Sequence, residues 1–164
     1  MLSEIWISVG SIILLLLLSA FFSGSETALT AASRARIHQL SKEGNKNAKI
    51  VEKLNSKREH LIGTILLANN LVNILASALA TSILIGMFGN AGIGYATATM
   101  TLLILIFAEV LPKTYAINKA NRAAIFVAPL IRFLVVLFSP ITNAIQLIVK
   151  FILNPFRVPS SVDA

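Results

Sequence analysis

An uncharged run of 18 residues lies near the start of the chain: IWISVGSIILLLLLSAFF, residues 5–22. An α-helix needs about that length to cross a hydrocarbon core of ~30 Å. A cleaved signal peptide is the alternative, but the preceding MLSE is acidic rather than basic and no small-x-small cleavage site is evident. We therefore interpret this run as the first membrane-spanning helix.

Composition places the whole chain among membrane proteins. It has 164 residues, 56% hydrophobic and 13% charged, and no Asp precedes Asp163. Two further apolar runs, 61–88 and 91–112, are each long enough to span. We expect an all-α integral membrane domain, residues 1–154, with three transmembrane helices per protomer at about 5–30, 61–88 and 91–117.

A fourth apolar stretch, 123–149, is interrupted by two prolines and an arginine and has no uncharged segment of 18 residues. Proline removes a helical hydrogen bond, and a charge is costly at the centre of a bilayer. We predict an amphipathic juxtamembrane helix at 122–153 rather than a fourth crossing. The final NPFRVPSSVDA has the composition of a linker, which we place at 155–164.

The net charge of +7 is concentrated on one side of the predicted spans. Eight Lys and Arg residues lie from Arg34 to Arg58, whereas the turn at 89–94 has none. The positive-inside rule therefore places the basic segment and the carboxy terminus in the cytoplasm, and the amino terminus outside. We expect a multi-pass protein of the cell inner (plasma) membrane. The basic segment lacks aromatic residues for stacking bases, which argues against nucleic acid as a partner.

The basic segment also has helical spacing, since Ala48, Val51 and Leu54 are three residues apart and Gly44 interrupts the pattern. We predict a cytoplasmic helical hairpin at 33–59 on the inner membrane surface, with its basic side toward anionic headgroups of the bilayer. A solvated charged linker is the alternative interpretation.

Polar residues follow the first apolar run on one helical face. At 100° per residue, Ser23, Glu26, Thr27 and Thr30 share an arc of about 100°, while Ser25 lies on the far side. This stripe suggests a polar path along the inner end of the first helix. For Glu26, an interfacial acid near a helix end is the alternative.

The second and third spans carry amides and one acid. Asn69, Asn73 and Ser77 are spaced by four, with Asn70 on the flank of the same arc. Counted at 1.5 Å per residue, these residues, the stripe of the first helix and Glu109 can converge in the inner half of the membrane. Such amides often only join packed helices, with about 0.6 kcal/mol each.

Glu109 is harder to explain by packing alone. An ionisable group at that depth is costly and is by default a functional candidate. Pro112 lacks the N–H that would bond the carbonyl of Ala108 in an α-helix. Carboxylate, amide, hydroxyl and carbonyl oxygens suit hard cations, and the spans contain no Cys or His. The composition favours magnesium, calcium or sodium over zinc or copper.

Three motifs carry a family resemblance: FSGSETA at 22–28, LANNLVN at 67–73 and EVLPK at 109–113. Over nearly the whole chain they resemble the transmembrane domain of the CorC/CNNM (cyclin M) family of magnesium transporters. The resemblance implies a homodimer with a sodium-dependent magnesium export activity. In the family, a cytoplasmic CBS-domain pair that binds ATP follows, and this sequence does not include it.

The resemblance also implies site residues. Ser23 and Gly24 match the FSG turn, Asn69 and Asn73 match the paired asparagines, and Glu109 matches the acid of the third motif. Ala108 stands where the family usually has Gly, so its methyl group affects how closely the backbone can approach a bound ion there. We predict a magnesium site at Ser23, Gly24, Asn69, Asn70, Asn73 and Glu109, with an ion path at Ser25, Glu26, Thr27, Ser77 and Ala108.

Two other classes of function compete with transport. An intramembrane hydrolase would need a base for a serine, but His38 and His60 fall in the basic segment and no Asp lies in any span. We therefore do not expect an enzyme. A membrane anchor or ion sensor for cytoplasmic domains is the second alternative, because a sequence does not distinguish an ion that is moved from one that is held.

Overall fold

A computed structural model describes residues 1–156, and every regular element within that range is helical. The predicted linker therefore lies, from residue 157 onward, outside the described residues. The elements are α1 (Leu2–Ala31), α2 (Arg34–Lys42), α3 (Lys46–Ser56), α4 (Arg58–Phe88), α5 (Ala91–Leu103), a π-helical segment (Ile104–Val110), α6 (Leu111–Asn118), α7 (Ala120–Leu153) and a final 3-10 turn (Asn154–Phe156).

Four helical stretches are long and apolar enough to cross a membrane: Leu2–Ala31, Arg58–Phe88, Ala91–Asn118 and Ala120–Phe156. The first three contain the predicted spans. The fourth contains the predicted juxtamembrane helix, and by length and composition it also qualifies as a crossing, the alternative that was rejected from the sequence.

The two prolines of α7 do not break it, contrary to the weight that the sequence argument gave them. The helix continues through Pro129 and Pro140. Both residues are exposed, so the carbonyl that each leaves without a donor can tilt away from the bundle.

The contacts of α7 show how it lies against the other helices. Near its start, Asn121 Oδ1 accepts a hydrogen bond from the N–H of Ser33, just past α1, at 2.8 Å. Further along, Thr142 Oγ1 lies 3.4 Å from Thr64 Oγ1, close to the start of α4. Because α2 and α3 connect the end of α1 to the start of α4, both contacts are at the same end of the bundle. About 31 Å of α7 therefore runs along that end.

Apolar packing is concentrated at this end of the bundle. Ile37 of α2 and Val51 of α3 are 2% and 0% exposed and belong to the main buried cluster. The segment between α1 and α4 is thus a packed pair of helices and not a bare linker. At the opposite end, a smaller cluster contains only small or flexible buried residues, Ala76, Ala80 and Met100.

Local sequence explains the sharp turns. Gly44 ends α2 with a φ of 98°, and Asn45 then caps α3 by accepting from the Ala48 N–H at 3.1 Å. Gly89, with a φ of 68°, ends α4. A Cβ at Gly92 would overlap the backbone of α4, so glycine lets α5 fold back closely on α4.

Candidate cation site

Asn69 of α4 is the centre of a polar cluster inside the bundle. Its Oδ1 accepts a 2.6 Å hydrogen bond from Ser19 Oγ. Its Nδ2 donates to Ser23 Oγ at 3.4 Å and to Glu109 Oε1 at 3.2 Å. Ser19 and Ser23 are 0% exposed and Asn69 is 7% exposed. Side chains from α1, α4 and the π-helical segment thus form one hydrogen-bonded group, which we call the polar cluster.

Glu109 supplies the negative charge of the polar cluster. Its Oε2 lies 3.2 Å from Nζ of Lys113, one helical turn later. The carboxylate side chain is 29% exposed and the lysine side chain 43% exposed, so the ion pair lies at the edge of the bundle. One carboxylate oxygen is thereby occupied by the Asn69 amide and the other by an ammonium group.

The backbone widens where it carries Glu109. The N–H of Leu111 bonds to the carbonyl of Ile106, five residues earlier, as in a π-helix. In that register the N–H that Pro112 lacks would have bonded the carbonyl of Phe107. In an α-helix it would have bonded the carbonyl of Ala108. Ala108 is 0% exposed, so its methyl group is accommodated in the packing. Short π-helical segments occur frequently at functional sites.

The remaining asparagines of α4 differ in their surroundings. Asn73, one turn from Asn69, has a buried Oδ1 without a hydrogen-bond donor among the described residues. A buried acceptor without a donor is unfavourable, by about 1–3 kcal/mol, and is the kind of group that a cation can satisfy. Asn70 is exposed, and within residues 1–156 its side chain does not join the polar cluster.

A groove of about 490 Å³ reaches Glu109 between α4 and α5. Its polar lining consists of hydroxyl side chains, Ser77 and Thr81 from α4 and Thr97 and Thr101 from α5. Each of the three threonines donates to the carbonyl four residues earlier in its own helix. Their oxygen atoms keep lone pairs for a further partner, so the groove presents acceptors to a cation.

The predicted stripe of α1 separates into different environments. Ser23 belongs to the polar cluster, whereas Gly24 and Ser25 line another cavity between α1, α6 and α7. Glu26 and Thr27 are partly buried. Within residues 1–156, the Glu26 carboxylate has neither a hydrogen bond nor an ion pair. Of the predicted residues of α1, only Ser23 therefore joins Asn69 and Glu109.

One member of the polar cluster and the ion-pair partner of Glu109 were not foreseen from the sequence. Ser19 lies inside the apolar run of the first membrane-spanning helix and was not assigned to the site, although its position four residues before Ser23 places both on one face. Because a hydroxyl both donates and accepts, Ser19 can hold the Asn69 amide in either orientation. Lys113 entered the sequence analysis only as the last residue of the EVLPK motif, and its spacing of four from Glu109 was the signal for the ion pair.

The oxygen atoms of the polar cluster are of the kind that hard cations bind. Among the described residues, no group of three His, Cys, Asp or Glu side chains could hold a metal. The polar cluster instead offers one carboxylate with hydroxyl and amide oxygens, which are ligands for magnesium, calcium or sodium. His38 is engaged on the hairpin, where its Nδ1 lies 3.0 Å from Glu52 Oε1.

Comparisons with known proteins agree with the motifs. The family model described as "Cyclin M transmembrane N-terminal domain" matches residues 10–163. The chain is 39% identical over 145 residues to the UPF0053 inner membrane protein YfjD of Escherichia coli, covering 88% of this chain and 34% of that protein.

Two other relatives show the same partial coverage. A UPF0053 protein of Haemophilus influenzae is 41% identical over 143 residues, covering 87% of this chain and 34% of that protein. A chloroplastic DUF21 domain-containing protein of Arabidopsis thaliana is 34% identical over 137 residues, with 83% and 21% covered. The chain thus spans about a third or less of the length of these curated relatives.

Proposed function

Since the chain belongs to the family of cyclin M transmembrane N-terminal domains, we propose that it is the membrane domain of a magnesium transporter, which exports the ion in a sodium-dependent manner. The observation that carries this proposal is the hydrogen-bonded group of Ser23, Asn69 and Glu109. Ionisable groups within membrane helices are costly and mark ion pathways. Magnesium requires six oxygen ligands in near-octahedral geometry, several of which are commonly water.

Without a bound ion, the ligands of the proposed site differ in their hydrogen bonds. Glu109 supplies a carboxylate, Ser23 a hydroxyl, and Asn73 a buried amide oxygen that has no donor among residues 1–156. Asn69 presents its amide nitrogen to Glu109, so it becomes a ligand only after its amide group rotates by half a turn. In the rotated state, Ser19 accepts from the amide instead of donating to it.

Lys113 balances the charge of the site when no ion is bound. Its ammonium group lies against Glu109, and a divalent cation at the same carboxylate repels it. Because the lysine side chain is long and 43% exposed, it can move toward the membrane surface as the ion enters. Exchange of one cation for another avoids leaving an uncompensated carboxylate within the membrane.

The proposed ion path extends from the polar cluster in two directions. Glu26, near the inner end of α1, is the acidic entrance on the cytoplasmic side. Ser77 and the three threonines of the groove form the outward part, which starts at Glu109. Thr97 and Thr101 are exposed in a single chain, so a second copy packed on α4 and α5 in the proposed homodimer would shield this part from lipid.

We propose three crossings, with α7 as a juxtamembrane helix. The two contacts of α7 at one end of the bundle support this arrangement, as does the basic hairpin at the same end. A cysteine placed at Asn45 should then react only when the inner face is accessible, one at Asn90 should react from outside, and a tag at the carboxy terminus should resist external protease. External cleavage of that tag would show a fourth crossing.

The second candidate function is an anchor or ion sensor for cytoplasmic domains, including the CBS-domain pair of the family. It is favoured by the extent of the match, because about two thirds of the bacterial relatives lies outside the region that this chain covers. Magnesium flux measured in liposomes, with and without a sodium gradient, separates the two functions. Transport predicts flux that requires Glu109, whereas magnesium binding without flux would support the anchor.

A further inference from the structure

A second cavity lies on the side of α1 opposite the polar cluster. It is an open cavity between α1, α6 and α7 and has a volume of about 520 Å³. Its lining is mostly apolar and includes Phe21, Phe126 and Val127. Two basic residues, Lys119 and Arg122, also line it, and both are exposed. The cavity therefore combines an apolar interior with a positively charged mouth.

The start of α7 adds to the positive potential at this mouth. The N–H of Ala123 bonds to the carbonyl of Lys119, so the N–H groups of residues 120–122 precede the first bond of the helix. The amino-terminal end of a helix carries a partial positive charge and favours anions. The transported cation would be repelled here, which distinguishes this cavity from an ion path.

Ser25 provides an independent indication of a ligand. Its side chain lines the cavity, is 1% exposed, and its Oγ has no hydrogen-bond partner among the described residues. Serines in helices commonly donate to a carbonyl of their own helix when no other partner is present. Ser25 thus places a buried donor without a partner beside the cavity, six residues or about 9 Å before the end of α1.

We propose that this cavity binds one acidic phospholipid of the inner leaflet. The phosphate lies at Lys119, Arg122 and the first turn of α7. An ester carbonyl accepts from Ser25 Oγ, and an acyl chain follows Phe126 and Val127. An inorganic anion would gain nothing from the apolar walls, and the choline group of a zwitterionic lipid would be repelled by the two cations, so the apolar and basic parts of the cavity together select an anionic lipid.

Native mass spectrometry of the full chain tests this site, with phosphatidylglycerol and phosphatidylcholine of identical acyl chains as the probes. One phosphatidylglycerol per chain should bind roughly 25-fold more tightly than phosphatidylcholine. The double variant Lys119→Gln/Arg122→Gln should lose this preference, since each basic residue contributes about fivefold near an anionic surface. The matched control, Lys49→Gln/Lys150→Gln, removes the same charge at exposed positions that do not line the cavity and should keep it.

A second pair of variants tests the deeper part of the cavity. Ser25→Ala should weaken phosphatidylglycerol binding by about fivefold, the usual effect of one hydrogen bond, and Ser25→Thr should retain it. An equal loss of preference in both double variants would reduce the effect to general surface electrostatics and overturn the proposal. Displacement of the lipid by inorganic phosphate, or unchanged binding in Ser25→Ala, would also overturn it. Because the readout is lipid binding, it does not depend on magnesium transport.

Discussion

Ser23 and Ser25 stand two residues apart on α1 and belong to chemically opposite regions of the molecule. Both are buried, at 0% and 1% exposure. Ser23 accepts from Asn69 in the group that contains the Glu109 carboxylate. Ser25 lines a cavity that two basic residues also line. Two residues rotate a helix by about 200°, so identical side chains reach opposite faces.

The difference shows how one short motif can serve two sites of opposite charge preference. Gly24, between the two serines, lies against α6, where an added Cβ would be 3.5 Å from the Cβ of Pro112. The close contact of α1 with α6 separates the polar cluster from the basic cavity. Glu109 on one side of α1 therefore does not pair directly with Lys119 or Arg122 on the other side.

The largest expected effect is that of Glu109→Gln. It keeps the shape of the side chain but removes the negative charge that a hard divalent ion requires. We expect magnesium affinity, measured by calorimetry on the purified chain, to fall by about 100-fold, or ~3 kcal/mol. Lipid binding on the other side of α1 should be unchanged.

The fold should tolerate this change. Lys113 loses its partner, but its side chain is 43% exposed and can reach the membrane surface. Helix content by circular dichroism should therefore match that of the parent chain. If Glu109→Gln binds and moves magnesium as the parent does, the carboxylate is structural and the proposed site is wrong.

The serine pair gives the next largest effect and the most direct comparison. Ser23→Ala should lower magnesium affinity by roughly 5- to 10-fold, because one oxygen ligand is lost. Ser25→Ala should leave it unchanged, since that hydroxyl is on the opposite face. The same calorimetric titration checks both variants. Equal losses in the two variants would show that the two faces of α1 are not functionally separate.

A smaller effect, of opposite sign, is expected for Lys113→Gln. The variant removes the ammonium group that competes for Glu109, so magnesium affinity should rise by about 2- to 5-fold, in keeping with the modest strength of partly exposed ion pairs. Lys119→Gln is the matched control, because Lys119 belongs to the other cavity, and it should have no effect on affinity. A fall in affinity for Lys113→Gln would indicate that the lysine positions the carboxylate instead of competing for it.

Much of the fold followed from the sequence because apolar runs and charges are local signals. The runs predicted at 5–30 and 61–88 correspond to α1 (Leu2–Ala31) and α4 (Arg58–Phe88). The family inferred from three motifs is confirmed by the match over 10–163. Depth counting also brought Ser23, Asn69 and Glu109 to one level, because a helix has a fixed rise per residue.

Other features depend on tertiary packing and had no local signal. A helical wheel gives the face of a residue but not the helix that covers it, so the separate cavity beside Ser25 was not foreseen. The π-helical segment carries the same apolar pattern as an α-helix, so α-helical spacing assigned the free carbonyl to Ala108. The prolines of the fourth apolar stretch were expected to interrupt a helix. The helix α7 nevertheless continues through Pro129 and Pro140, which are both exposed.

The smallest effect on affinity is expected for Glu26→Gln, which tests whether the cation site extends along α1 to Glu26. Glu26 is partly buried, makes no ion pair within residues 1–156, and does not join the polar cluster. Its distance from the ligands predicts a change in magnesium affinity below about twofold, less than the loss of a hydrogen-bonded ligand. An acid at an entrance acts instead on the rate at which cations arrive.

We therefore expect the initial magnesium flux of Glu26→Gln to be roughly 2- to 5-fold lower at low ionic strength, and to approach the parent rate in about 1 M potassium chloride, where the Debye length is ~3 Å. Sodium should be varied separately at constant ionic strength, because we propose that Glu26 also affects the sodium response. Glu43→Gln, an exposed acid of the hairpin, is the control for loss of charge alone. A loss of affinity like that of Glu109→Gln would make Glu26 a ligand, and the acidic site would then extend along α1 past Ser25.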